Sequence, residues 1–126
     1  MKDFILLIVI LMCIIGIGMW QVSYLEETSR YMKTDLNYTD YYINLEKYDL
    51  ALDTMESLKN TWNNMKDTWA IFIHHEDIEY VEVKLSEIES YIENMDKEEA
   101  RANINSLKSN IDFTVECEKI KVQNIF

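Results

Sequence analysis

The sequence predicts an all-α protein in which a single N-terminal transmembrane helix is followed by a small antiparallel helical bundle. The 126 residues include no proline and only two glycines, both near the amino terminus. Hairpin turns rely on glycine or Asn-Gly pairs, whereas helices can be joined by Asn, Asp, His or Ser alone. After an apolar leader, apolar residues recur at helical rather than strand spacing. Sheets are therefore disfavoured along the whole chain.

The first element is the apolar leader. No charged residue occurs from Phe4 through Leu25, a tract of 22 residues that as a helix would span about 33 Å, close to the thickness of a hydrocarbon core. Trp20 and Tyr24 suit the aromatic belt at a membrane surface, whereas a cleavable signal peptide would end in small residues of the A-x-A kind. We therefore predict a retained anchor over residues 1–25, which contacts the lipid bilayer through residues 4–25.

Charge indicates the orientation of the chain and excludes one class of partner. Lys2 and the amino terminus make the short end positive, which favours a cytoplasmic amino terminus and an extracytoplasmic chain after about Gln21. The net charge is −11, and Lys and Arg form no cluster. Since a phosphate-binding face needs clustered cations, nucleic acid is not expected as a partner.

The second element is a helical bundle over residues 26–116. Two apolar series, each with a period of seven, predict one stripe along the first two helices. One series comprises Tyr24, Tyr31, Tyr38, Leu45 and Leu52, and the other Tyr41, Tyr48, Met55, Trp62 and Trp69. The first helix is expected to reach about Leu36, with a turn in "LNYTDYY" and Thr39 or Asp40 as the next cap. Trp62, Trp69 and Phe72 should be central to the core.

Two further breaks divide the rest of the chain. The apolar phase is lost between Ile73 and Ile78, so a turn or a kink belongs there. Asp96, followed three residues later by Glu99, forms a capping-box pattern that opens the last helix. Residues 117–126 show no clear helical period and read as a C-terminal tail, either frayed or docked through its apolar end.

The stretch "AIFIHHEDIEYV" carries the residues most suggestive of a metal site. His75, Glu79 and Glu82 could share one helix face, and imidazole with carboxylates suits zinc, iron or manganese. However, the two histidines are adjacent and so point about 100° apart on a helix, and no Glu-x-x-His pair occurs in the chain. We interpret the stretch as a helix junction and predict no metal, no cofactor and no catalytic residue.

Two other groups of side chains bear on chemistry. No nucleophile signature surrounds Ser86, Ser90 or Cys117. A set of aromatic residues could line a ligand groove between helices, although their helical spacing favours a place in the core. These are Tyr38, Tyr41, Tyr42, Tyr48, Trp62 and Trp69.

A family resemblance accompanies these patterns. Trp62 and Trp69, the junction from His75 to Ile78, Tyr91 with Ile92, and the closing "NIF" resemble a family of short uncharacterised proteins of clostridia and other low-GC Gram-positive bacteria, described as a domain of unknown function. The resemblance covers nearly the whole chain. It implies a single-pass, membrane-anchored helical protein and supplies no activity.

Three functions fit the sequence. The favoured one is a structural or protein-interaction accessory module at the cell envelope, without enzymatic activity, whose partner is another membrane or envelope protein. The alternative is an extracytoplasmic sensing or ligand-binding bundle, motivated by the Tyr and Trp content. The third, a metalloenzyme built on His75 and Glu79, is disfavoured by the incomplete ligand set.

Overall fold

Four α-helices joined by short turns make up the protein. The computed structural model describes residues 1–125, with side chains through Asn124. The helices are α1 (Lys2–Asn44), α2 (Tyr48–Phe72), α3 (His75–Glu93) and α4 (Lys97–Ile125), and no strand occurs among the described residues. The predicted all-α fold, with a long apolar first helix followed by packed helices, is confirmed.

The helices form a closed, antiparallel ring. α1 packs against α2 and α4, and α3 packs against the same two helices. Contacts between α2 and α3 pair Lys59 with Glu89 and Lys66 with Glu82, both at 3.2 Å. As the residue number rises on one helix it falls on the other, so the two helices are antiparallel. The short turns require the same relation for each consecutive pair.

The core-facing side of α1 lies roughly 150° around the helix from the predicted stripe. Tyr31, Tyr38 and Leu45 are 60%, 56% and 45% exposed, so their predicted place in the core is wrong. The prediction counted tyrosines as core residues and passed over the small polar side chains of Ser29 and Thr39, which are buried. The buried residues alternate at spacings of four and three: Leu25, Ser29, Met32, Leu36, Thr39 and Ile43.

The turn after α1 lies later than predicted. α1 continues to Asn44, because Thr39 is buried mid-helix and donates its hydroxyl to the Asp35 carbonyl at 2.9 Å instead of capping a new helix. Beyond the last helical residue Asn44, Glu46 takes a left-handed conformation with φ 58° and turns the chain out of the helix. Glu46 N–H then donates to the Ile43 carbonyl and Lys47 N–H to the Tyr42 carbonyl, both at 2.9 Å. This is a Schellman ending made without glycine.

The second series predicts α2 correctly over most of its length. Met55, Trp62 and Trp69 are buried, Tyr48 is half-buried and Tyr41 is exposed. The Trp62 and Trp69 rings meet edge to face, with centroids 5.7 Å apart. The two indoles therefore form the centre of the core, as predicted, whereas Phe72 is only partly buried at its edge.

The break between Ile73 and Ile78 is a turn rather than a kink. Ile73 and His74 are extended, with ψ 146° and 144°, and α3 starts at His75. The next turn again uses a left-handed residue, Met95, with φ 59°. The predicted cap at Asp96 is present, since its Oδ1 accepts the Glu99 N–H at 3.3 Å.

The segment after Cys117 is helical rather than irregular, so the predicted tail is corrected. α4 runs unbroken to Ile125. Its buried positions include Glu118. Because this buried residue is charged, the helical spacing of apolar residues is not visible in the sequence of this segment. The proposed docking of the tail end rests on the Ile125 side chain and Phe126, which lie outside the described residues. The predicted boundaries of the bundle, between residues 25 and 26 and between residues 116 and 117, both fall inside helices.

Candidate functional site

The most distinctive surface is the first part of α1, which extends beyond the bundle. Its apolar side chains from Phe4 to Leu11 are between 42% and 66% exposed. Mean hydropathy over the most apolar window of 18 residues in α1 is 2.7. By length and composition this helix could cross a membrane, and a signal sequence would meet the same criteria. Apolar side chains on all sides of one helix are unstable in water and require an apolar surrounding.

The apolar segment joins the bundle without a break in α1. Trp20, 53% exposed, stacks on Tyr24 with ring centroids 5.6 Å apart. Its other contact is with Phe72 at the end of α2, edge to face at 5.9 Å. The α2–α3 turn therefore lies at the bundle end next to the apolar segment.

Ion pairs and hydrogen bonds fasten the same end of α1 to α4. Gln21 Nε2 donates to Glu118 Oε2 at 3.0 Å, and Lys121 Nζ donates to Glu118 Oε1 at 2.9 Å. This hydrogen bond raises the pKa of Lys121. Lys119 pairs with Glu26 across the helices and with Glu116 on its own helix, and both contacts raise its pKa. The junction is thus held by charged contacts around a buried carboxylate.

The histidine cluster lies at this junction, on the surface. His75 Nε2 is 3.0 Å from Glu79 Oε1, and the two side chains are 81% and 61% exposed. Glu82 contacts Lys66 on α2 instead. Among the described residues, no group of three or more His, Cys, Asp or Glu side chains is placed to hold a metal ion. The three residues considered for a metal site therefore do not converge.

The two candidate serine nucleophiles lie far along α3 from the histidines at its start. Ser86 and Ser90 lie on the exposed side of that helix, and eleven residues separate His75 from Ser86, about 16 Å of helical rise. Cys117 is half-buried on α4. No base and nucleophile are thereby placed together on α3.

The aromatic residues proposed for a ligand groove separate into two groups. Trp62 and Trp69 are each 1% exposed in the core, and Trp69 Nε1 donates to Thr28 Oγ1 at 2.8 Å. Tyr38 and Tyr41 are instead exposed on α1, while Tyr42 and Tyr48 are partly buried against the core. The six side chains therefore do not line one groove.

A stripe along α1 is the feature that sequence reasoning misplaced. We call it the outer face of α1. Its members alternate at spacings of four and three and lie roughly 150° around the helix from the buried residues. They are Trp20, Tyr24, Glu27, Tyr31, Thr34, Tyr38, Tyr41 and Leu45. The period of seven through the tyrosines was visible in the sequence, but the side of the helix it marks was not.

A comparison with protein families decides what kind of chain this is. A family model described as a domain of unknown function (DUF4363) matches residues 19–125. The chain belongs to this family. No curated protein and no solved structure matched the chain. The match confirms the resemblance to a family of unknown function.

The DUF4363 match covers the bundle and leaves the first 18 residues outside it. Within the domain, an open groove between α1 and α4 is lined by charged side chains. Lys33 pairs with Asp112 at 2.5 Å, and Lys108 donates to Asn37 at 2.8 Å. These contacts tie the two helices together, and the Lys33–Asp112 pair neutralises one of the three cations in the groove.

Proposed function

We propose that this DUF4363 protein is a single-pass, membrane-anchored interaction module of the cell envelope. It contacts the bilayer within residues 4–25, apart from those side chains of the range that pack into the bundle, such as Leu25, and presents its helical bundle to another membrane or envelope protein. The observation that carries the proposal is the continuity of α1, which runs from the exposed apolar segment into the bundle. One helix thus serves as anchor and as a core element.

The junction supports retention of the anchor. Gly18 is buried, and the contacts of Trp20 and Gln21 with the bundle begin within three residues of it. Gly16 and Gly18 do form a small-x-small pair of the kind that signal peptidases use. Cleavage after Gly18 is therefore the specific rival to retention.

The direction of insertion rests on charge. Lys2 and the amino terminus favour a cytoplasmic start, while the bundle carries most of the acidic residues behind the net charge of −11. We therefore place the bundle outside the cytoplasmic membrane.

An interaction role is favoured over catalysis or ligand binding. The inward-facing positions of all four helices are filled by aliphatic side chains and two indoles, and the grooves lie open on the surface. His75 faces solvent, well away from Ser86. The proposal therefore assigns no catalytic, cofactor-binding or metal-binding residue.

Topology is the first test. Alkaline phosphatase or a cytoplasm-active fluorescent protein is fused after Phe126 in matched strains. The proposal predicts phosphatase activity without fluorescence. Fluorescence without phosphatase activity would place the bundle in the cytoplasm and contradict the proposal.

Partner identification is the second test. Native membranes are crosslinked, solubilised in mild detergent and purified through a tag on the full chain. The proposal predicts one reproducible membrane or envelope protein in near-stoichiometric yield, which is absent when an unrelated single-pass protein carries the tag. Repeated recovery of the chain without any other protein would argue against an accessory role.

A further inference from the structure

We propose that the outer face of α1 is a self-association surface on which a second copy of this chain packs in parallel as a two-stranded coiled coil. The inference rests on the proposed anchoring, because insertion in one direction makes every copy parallel. It goes beyond that proposal by naming the occupant of the surface.

The outer face has the pattern of a coiled-coil seam. Counting in heptads, Tyr24, Tyr31, Tyr38 and Leu45 occupy the a positions, and Trp20, Glu27, Thr34 and Tyr41 occupy the d positions. The exposed aromatics among them have between 53% and 60% of their surface open to solvent: Trp20, Tyr31, Tyr38 and Tyr41. Knobs-into-holes packing needs this spacing and buries such side chains. The bundle uses the opposite side of α1. Near the apolar segment Trp20 contacts Phe72 and Tyr24 is partly buried against the core, so the seam is unoccupied within one chain from Glu27 onward.

The seam continues into the apolar segment. One heptad before Trp20 and Tyr24 lie Cys13 and Ile17, both exposed. Beside them, a Cβ placed on Gly16 would meet nothing within 4 Å, so packing within this chain does not require the glycine. A small residue at that position lets two membrane helices approach closely. The surface is therefore continuous across the membrane junction.

Charges beside the seam identify a second copy, in parallel, as the occupant. Arg30 occupies a g position and Asp35 the following e position, and these two positions face each other between parallel strands. Two copies would thus form two Arg30–Asp35 pairs, related by the two-fold axis. Within residues 1–124, whose side chains are described, neither side chain forms an ion pair in its own chain. In an antiparallel pair g faces g and e faces e, which would put like charges together.

The environment of Asp35 agrees with this arrangement. Partial burial raises the pKa of its carboxyl group, and no cation in its own chain offsets the effect. The Arg30 guanidinium of a second copy would supply that cation. Glu27 opposes the association, because two copies would bring the Glu27 carboxylates together at a d position. Replacing Glu27 by leucine should therefore strengthen the dimer.

Crosslinking of the full chain in native membranes tests the proposal. In a Cys13→Ser, Cys117→Ser background, Thr34→Cys places one thiol on the seam, and Ser57→Cys places one on the exposed side of α2 as a matched control. After mild oxidation we expect a disulfide-linked species of twice the 15.1 kDa chain mass for Thr34→Cys, and at most traces for Ser57→Cys. Equal crosslinking at both positions would indicate random collision and overturn the proposal.

Charge reversal distinguishes a specific dimer from non-specific association of the exposed surface. Arg30→Asp should lower the crosslinked fraction of Thr34→Cys about fivefold or more, since two ion pairs become two like-charge contacts. Asp35→Arg should do the same, and the double variant should restore crosslinking. Equal crosslinking in all four backgrounds would overturn the pairing.

The remaining outcomes are also decisive. A chain that stays in the membrane without Thr34→Cys crosslinks overturns self-association and leaves the anchoring intact. Crosslinking of Thr34→Cys to a different protein assigns the face to that protein and overturns the dimer. Recovery of the chain outside the membrane fraction overturns the proposed function as well.

Discussion

The two halves of α1 show how one continuous helix can meet two different surroundings. Up to Ile14 its apolar side chains are exposed on every side, whereas from Leu25 to Ile43 buried residues recur on one face only. The backbone is helical throughout. The difference lies entirely in how apolar side chains are distributed around the axis. A uniform distribution demands an apolar medium, and a periodic one demands neighbouring helices.

A rigid connection follows from this arrangement. The helix crosses from one half to the other without proline and without a turn, so a bundle of about 25 to 30 Å in height is held close to the apolar segment. The contacts of Trp20 with Phe72 and of Gln21 with Glu118 fix that relation. The apolar segment and the bundle should therefore move as one body, although each can be disrupted separately.

The largest expected effect is the loss of membrane insertion when charged residues replace apolar ones in the first half of α1 alone. Arginine at Ile8 and Leu11 together should cost about 5 to 7 kcal/mol of membrane insertion, since each arginine near a helix centre costs about 2.5 to 3.5 kcal/mol. We expect the chain to leave the membrane pellet in a carbonate extraction. The control is Val83→Arg with Phe113→Arg, two exposed apolar residues of the bundle. If the two pairs behave alike, the halves of the molecule do not differ as described.

The next largest effect is the loss of folding stability when a core side chain of the bundle is removed. Trp62→Ala empties the centre of the core and should lower the free energy of unfolding by about 3 to 5 kcal/mol. Urea unfolding of the full chain in detergent, followed by circular dichroism, measures it. Membrane retention should not change.

Two exposed residues serve as controls for the Trp62 variant. Phe113→Ala and His75→Ala should each cost less than about 1 kcal/mol, because Phe113 is 69% exposed and the His75–Glu79 pair is solvated. A larger loss for His75→Ala than for Trp62→Ala would show that the junction has a structural role not described above.

A smaller effect tests the hydrogen bond that joins α1 to α2. Thr28→Val removes the acceptor of the Trp69 indole N–H and leaves a buried donor unpaired, which should cost about 1 to 3 kcal/mol. Thr34→Val, on the exposed side of the same helix, should stay within about 0.5 kcal/mol. Equal losses in the unfolding assay would mean that the Trp69 hydrogen bond contributes nothing particular.

The smallest effect concerns the pH dependence of Asp35. Burial raises its pKa in the folded chain above the ordinary 3.8, so the folded state binds this proton more tightly than the unfolded state. Its contribution to stability is then present below pH 3.8 and is lost as the pH rises through the raised value.

The Asp35→Asn variant tests this sign. At a detergent dilution that dissociates the proposed dimer, Asp35→Asn should gain stability relative to the natural chain across that pH window, by less than about 0.5 kcal/mol at neutral pH. A relative loss there would contradict the direction. Asp53→Asn, at an exposed position on α2, is the matched control.

Much of the fold could be predicted from the sequence, because long-range periodicity survives local ambiguity. The helix class and the turn near His74 follow from the spacing of apolar residues, and the cap at Asp96 follows from the pattern of Asp and Glu three residues apart. The inner face of α1 could not be predicted, since tyrosine satisfies an apolar pattern yet tolerates exposure through its hydroxyl. Ser29 and Thr39 are small enough to be buried by returning their hydroxyls to their own helix.

Turn positions were harder to predict for a related reason. Helix endings in a left-handed conformation are usually marked by glycine, but here Glu46 and Met95 adopt it. Without that marker the end of α1 was placed too early. The same phase error prevents prediction of the outer face of α1, because the tyrosines that the sequence assigns to the core lie on that face.

Intact-mass spectrometry of the carbonate-resistant membrane pellet tests the central claim most directly. The account predicts the complete 15.1 kDa chain, beginning at Met1, in that pellet. A soluble product that begins after Gly18 and carries the bundle alone would contradict it.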